Sequence, residues 1–161
     1  MANITDDEES GTFELIDNLF DVVKKKDYSA INSTDETYTD SSTGFIWQKN
    51  IETYSMTILD AIKYVSNLNK TKYAGYTTWS IPTKDELLAL VDNEVKNDYS
   101  ECGTLMIKEE LAKTMKLEKP IFWALPYEKD DDIILPVVLF DAGIPFIATA
   151  YDRFHVRCVV K

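Results

Sequence analysis

Gly75-Tyr76-Thr77-Thr78-Trp79-Ser80-Ile81-Pro82-Thr83-Lys84-Asp85-Glu86-Leu87-Leu88-Ala89-Leu90-Val91 puts a tryptophan-containing turn, a proline and a strongly capped helix in fixed order. Thr83 is placed to cap a helix, its hydroxyl accepting from a free amide one turn in. Glu86, three residues on, can reach back to the Thr83 amide and complete a capping box. Pro82 cannot extend the helix backwards. Leu87, Leu88 and Val91 follow at helical spacing, and Asp85 and Glu86 suit the positive end of the helix dipole. The stretch predicts a helix over 84–92, with Trp79 and Ile81 at its entry pointing into the core.

A second helix is expected over 58–69. Thr57 is its N-cap, Asp60 stands at the third position, and Ile58, Ala61, Ile62, Val65 and Leu68 form the buried stripe. Upstream, residues 1–11 read as an acidic tail, and 12–26 as an amphipathic helix with Phe13, Ile16, Leu19, Phe20 and Val23 on one face. Residues 27–42, rich in Ser, Thr, Asp and Asn, predict loop and turn. Phe45–Trp47 is a short strand, 70–78 a glycine-containing turn, and Lys108–Met115 a helix. From Ile121 the pattern changes to strands: Ile121–Ala124, Ile133–Phe140, Phe146–Ala150 and His155–Val160. Asp141-Ala142-Gly143 supplies a hairpin turn, and Pro136 implies an edge or bulge position. Helices first and hairpins last, without a βαβ rhythm, give an α+β class built on a twisted antiparallel sheet.

At 161 residues and 45% hydrophobic content the chain is long and apolar enough for one domain with a real core, which excludes wholesale disorder. No apolar run approaches the ~20 residues of a membrane span. The acidic N-terminus, Met1 to Glu9, lacks the basic and apolar regions of a secretory signal, so a cytoplasmic location is expected unless a leader is missing from the sequence. A net charge of −11 argues against nucleic acid as a partner, because phosphates are repelled. The two cysteines, Cys102 and Cys158, are expected as reduced thiols, Cys158 buried between Val156 and Val160 and Cys102 in a polar loop.

Four blocks in order resemble a bacterial family of unknown function, typified by the C-terminal domain of a collagen-like adhesin. Tyr38 to Lys49 (YTDSSTGFIWQK) is similar to its "T-x-T-G-L-x-W-x-K" opening. Thr57 to Leu68 resembles its "T-W-x-x-A-x-x-Y" helix, with Ile58 for the tryptophan and Ala61 and Tyr64 kept. Gly75 to Val91 is similar to "G-Y-x-D-W-R-L-P-T-x-x-E-L-x-x-L". Ile121-Phe122-Trp123, then Leu139 to Gly143 and Val156-Arg157-Cys158-Val159, resemble its "Y-W-S-S … F-x-x-G … V-R-C-V" close. The resemblance implies a C-type-lectin-like fold over 37–161, with two or three helices on the sheet, and 1–36 added in front as tail plus extra helix. It also implies binding of carbohydrate or protein ligands, with surface residues near the C-terminal end involved. Ser80 stands where the family has arginine, and Ala124-Leu125 replaces its two serines.

Chemistry-bearing clusters are sparse. His155 is the sole histidine and two distant cysteines make no zinc pattern, so no metal and no cofactor is expected. Asp130-Asp131-Asp132 reads as a solvated loop tip rather than a calcium loop. His155 and Cys158, three apart on a strand, face opposite sides and make no catalytic pair. Arg157 points away from Cys158, and a carboxylate partner is its default. The candidate ligand-binding set is therefore Trp123, Tyr127, Asp131, Tyr151, Arg153 and His155, aromatics and charges suited to a sugar or protein ligand, with core packing at least an equal reading of Trp123. The expected function is a non-enzymatic ligand- or protein-binding module. Two alternatives stand beside it: an acidic inhibitor or immunity-type protein that binds a basic partner, and a thiol-dependent oxidase-like enzyme using Cys102 and Cys158.

Overall fold

The computed structural model describes residues 36–92, 97–100, 103–115, 117 and 119–161. The expected helix over 12–26 and the Cys102 thiol lie outside them. In chain order the elements are β1 (Thr37–Thr39), β2 (Ile46–Gln48), α1 (Ile58–Thr71), a 3-10 turn (Tyr73–Gly75), α2 (Lys84–Ala89), β3 (Asn97–Ser100), β4 (Gly103–Leu105), α3 (Glu109–Ala112), β5 (Ile121–Trp123), β6 (Tyr127–Lys129), β7 (Asp132–Ile134), β8 (Pro136–Leu139), β9 (Ile144–Ile147) and β10 (Val159–Val160). The class is mixed α+β. In place of the single expected sheet there are four small antiparallel ones: β1-β2-β10, β3-β4, β5-β8-β9 and β6-β7.

Both strongly signalled helices form where their caps dictate. Thr57 accepts from the Asp60 amide and opens α1, whose buried residues are Ile58, Ala61, Ile62, Val65 and Leu68. Burying each large side chain of that stripe contributes about 1.5–3 kcal/mol. Thr83 and Glu86 make the reciprocal capping box of α2. That helix ends at Ala89, sooner than 92, because Val91 leaves it to bridge Ile107. Asn69, on the last turn of α1, holds the Trp79 backbone from both sides: its Oδ1 accepts from Trp79 N (2.7 Å) and its Nδ2 donates to Trp79 O (3.0 Å).

Alternation along β5, β8 and the C-terminal segment builds the core. Two apolar clusters lie on opposite faces of these strands. Trp123, Val137, Val156, Cys158 and Val160 face α1 and Trp79 in one cluster. Phe122, Val138 and Val159 face α2, α3 and Trp47 in the other. A strand covered on both faces reads as a continuous apolar run rather than a clean alternation, which is the character of Val156-Arg157-Cys158-Val159-Val160.

Several expectations are corrected. Thr37–Thr39 pairs with β2 inside the region read as loop. The expected strand 133–140 breaks at Leu135 into β7 and β8, and Pro136 opens the central strand of its sheet rather than lying at an edge or bulge. As first residue it owes no ladder amide, while its carbonyl accepts from Ala124. Of the expected strand 155–160 only Val159–Val160 pairs with β2, and His155 makes an isolated parallel bridge to Phe122. The hairpin turn at Asp141–Gly143 forms, with Gly143 at φ 63°.

Candidate functional site

The last segment of the chain places the site. Phe154 exchanges backbone hydrogen bonds with Met56, and His155 bonds Ile121 and Trp123. Residues 153–155 are thereby clamped between the loop that leads into α1 and the outer edge of β5. Just upstream, the Asp152 carboxylate accepts from the Thr149 amide (2.8 Å) and hydroxyl (2.9 Å), so a tight turn lifts Tyr151 into solvent at 92% exposure. A ring at that exposure does no packing.

Between these segments lies an open cleft of about 420 Å³ lined by Thr53, Ser55, Leu117, Lys119, Arg153, Phe154 and His155. Among the described residues its lining carries two cations, two hydroxyls, an imidazole and an aromatic face, and no carboxylate. Arg153 is held across its mouth: one guanidinium nitrogen donates to Ser55 O (2.9 Å) and the other lies 3.9 Å from Asp60 Oδ2. Both side chains are well exposed, so that ion pair is worth little and leaves the guanidinium accessible. His155 is buried, and burial lowers its pKa, the Glu52 and Tyr54 carbonyls pulling the other way. Its Nδ1 has no hydrogen-bond partner among the described residues. The imidazole is neutral at pH 7 and offers a ligand a polar edge, not a charge.

The structure gathers Arg153 and His155 into this cleft, with Tyr151 two residues away. It withdraws Trp123: that side chain is fully buried, its indole N–H donates to Met56 O (2.8 Å), and its ring packs edge-on against Phe154. Trp123 therefore supports the cleft from behind instead of meeting a ligand. Tyr127 and Asp131 belong to the β6-β7 hairpin, where Lys129 pairs with Asp132 across the two-residue turn Asp130-Asp131. Both turn residues take positive φ (51° and 66°), the type I′ geometry that Asp tolerates. The triple-Asp tip is exposed, and no group of three or more His, Cys, Asp or Glu that could hold a metal occurs among the described residues. Neither Tyr127 nor Asp131 lines the cleft. Thr53, Ser55, Lys119 and Phe154 do, and were not singled out from sequence; they come from three separate chain segments with no motif to join them.

Arg157 is a further correction. It is fully buried and bonds no carboxylate among the described residues; it donates to the carbonyls of Gln48 (2.7 Å), Lys49 (3.1 Å) and Leu111 (3.3 Å) and lies over the Phe122 ring. Burial lowers its pKa to about 9, so it is charged at neutrality. Cys158 beside it is fully buried, and burial pushes its thiol above the ordinary range.

This α+β arrangement, with its first and last described strands on either side of β2, is the setting for the comparison with known families. Residues 36–160 match the model of the Lcl C-terminal domain, and the chain belongs to that family. Comparison with curated proteins and with solved structures gave no match.

Proposed function

We propose that this chain is a non-enzymatic binding module of C-type-lectin-like type, meeting a carbohydrate or protein ligand at the cleft between residues 53–55 and 153–155. One observation carries the reading. An open concavity holds Arg153, Lys119, His155 and two hydroxyls with no carboxylate among the described residues of its lining, and Tyr151, two residues from Arg153 in the chain, is exposed. A few convergent polar groups beside an aromatic wall is the usual make-up of a ligand site. The C-type-lectin-like reading is supported by β1 and β10 sharing β2, which brings the two ends of the domain together and leaves the long excursions to form loops. Reactive groups argue for binding over turnover: the thiol of Cys158 is sealed in the core, and its burial disfavours the thiolate an oxidase-like reaction needs.

The experiment is an array of glycans and peptides probed with wild-type protein and with Arg153→Gln and His155→Ala. Specific spots that fade with both variants support the cleft; spots that both variants keep place the ligand elsewhere.

A second reading, an acidic inhibitor of a basic partner, is favoured by the net charge of −11. Its capture of a basic protein would weaken steeply with salt. It would also use acidic surface away from this cleft and survive Arg153→Gln.

A further inference from the structure

The cleft does not end at Phe154. That ring stacks edge-on with Phe146 on β9, centroids 6.0 Å apart and interplanar angle 89°. The β8-β9 register pairs Val137 with Phe146 and Leu139 with Ile144, so Phe146 and Ile144 share one face of the sheet. They are neighbours about 7 Å apart along the strand. Phe146 is 39% and Ile144 51% exposed. A cationic cleft thus adjoins an apolar strip, the half-buried Phe154 followed by the exposed Phe146 and Ile144.

Among the described residues β9 is the outer strand of the sheet β5-β8-β9, and such an edge invites a partner strand. Here the register weakens that invitation. Pro136 pairs with Ile147 and Val138 with Pro145. The Pro136 carbonyl points to β5, accepting from Ala124, and Ala148 donates to Leu135. Ile147 and Pro145 therefore turn their backbone groups away from β8, to the outer edge. Pro145 offers a carbonyl but no N–H, so of the two only Ile147 presents a full donor–acceptor pair and a ladder here is weakened. Recognition on this edge then falls mainly to side chains.

Resting on the reading of the cleft as the ligand site, we infer that the ligand is a protein segment that presents an Asp or Glu side chain to Arg153 and Lys119 and lays apolar side chains over Phe154, Phe146 and Ile144. Charge complementarity fixes the acid: the lining has two cations and no carboxylate among the described residues. The aliphatic end of the strip selects a polypeptide over a sugar. A free sugar gains from an aromatic face and hydrogen-bonding groups, but an exposed isoleucine gives its hydroxyls nothing. An arginine beside a run of aromatic and aliphatic side chains is the composition of a protein interface centre. Ile147, 67% exposed, lies on the other face of β9 with Pro145 and takes no part.

The test is selection from a phage-displayed dodecapeptide library on the full chain, followed by anisotropy titration of C-terminally amidated hits, whose only carboxylates are side chains. Hits are expected to carry Asp or Glu within a few positions of aliphatic or aromatic residues. Arg153→Gln and Ile144→Ser should each weaken binding by about tenfold or more, and Ile147→Ser should leave it unchanged. Replacing the peptide acid by its amide should weaken wild type and not Arg153→Gln. Circular dichroism confirms folding, and Ile144 is exposed enough for the serine to be tolerated. If no acidic, apolar sequence is enriched, the inference falls. If an acidic oligosaccharide binds in a manner lost in Arg153→Gln and untouched by Ile144→Ser, the cleft reading stands and this inference falls. Binding untouched by either variant removes both. A dimer in sedimentation that Ile144→Ser dissociates would make a second copy the occupant and likewise overturn it.

Discussion

The guanidinium of Arg157 donates to the main-chain carbonyl of Gln48 across 2.7 Å, deep inside an apolar cluster, with two further carbonyls and no carboxylate among its described partners. One side chain thereby ties the end of β2, the following residue Lys49 and the helix α3 to the C-terminal segment. Carbonyls make good partners here because they take up the two terminal nitrogens without a second buried charge to desolvate, while the buried Nε has no partner among the described residues.

Arg157→Leu strands those carbonyls in a dry site. We expect a loss of about 3 kcal/mol or more in urea unfolding. Arg157→Lys should recover about half at most, since a single ammonium cannot span acceptors set by a planar fork. A loss within 1 kcal/mol (roughly the worth of one ordinary hydrogen bond) would show that the three contacts are incidental.

Asp40 gives a pH signature. Burial raises its pKa, but hydrogen bonds from Lys108 (2.8 Å), Ser42 and Thr43 outweigh it and hold the carboxyl at about 2, below the ordinary 3.8. The unfolded chain binds the proton first, so this stability is complete above 3.8 and drains as pH falls toward 2. It amounts to about 2 kcal/mol. Urea midpoints of wild type should fall through that window more steeply than those of Asp40→Asn; parallel curves would contradict the assignment.

Much of the fold was legible because its signals are local. Thr83 and Glu86 cap within one turn, and the α1 stripe is a property of fourteen consecutive residues. Arg157 was not legible, because its parity opposite Cys158 reads as a wet face only if one side of the strand is wet; here α2 and α3 cover that side. Trp123 was open between core and ligand-facing edge for a related reason: proximity in sequence to Tyr127 and the Asp run says nothing of β5 being roofed by the 153–155 segment, which buries it. Arg153 and His155 were singled out because they cluster with Tyr151 and Asp152 in the last loop, and both line the cleft. Thr53, Ser55 and Lys119 reach the same cleft through tertiary pairing that no spacing encodes.

The α2 cap should be measurable alone. Thr83→Ala is expected to cost about 1 kcal/mol. Glu86→Ala should cost more, since Glu86 also meets Lys161 at 2.7 Å. In a double-mutant cycle the two should couple by about 0.5 kcal/mol or more; strict additivity would mean that the box is not reciprocal.

Burial sets the reactivity of Cys158. In a Cys102→Ser background a thiol reagent should label it no faster than the protein unfolds globally, because both access and the thiolate are denied. Rapid labelling of the native state would reopen a thiol-based activity.

The cleft itself is tested most directly by titrating ¹⁵N-labelled protein with the strongest binder from the array and following amide shifts. We expect the largest shifts at Thr53, Ser55, Arg153, Phe154 and His155, with Arg153→Gln abolishing them. Shifts centred instead on the acidic pocket of Asp40, Asp85 and Glu86, undisturbed by Arg153→Gln, would place recognition elsewhere and contradict the account.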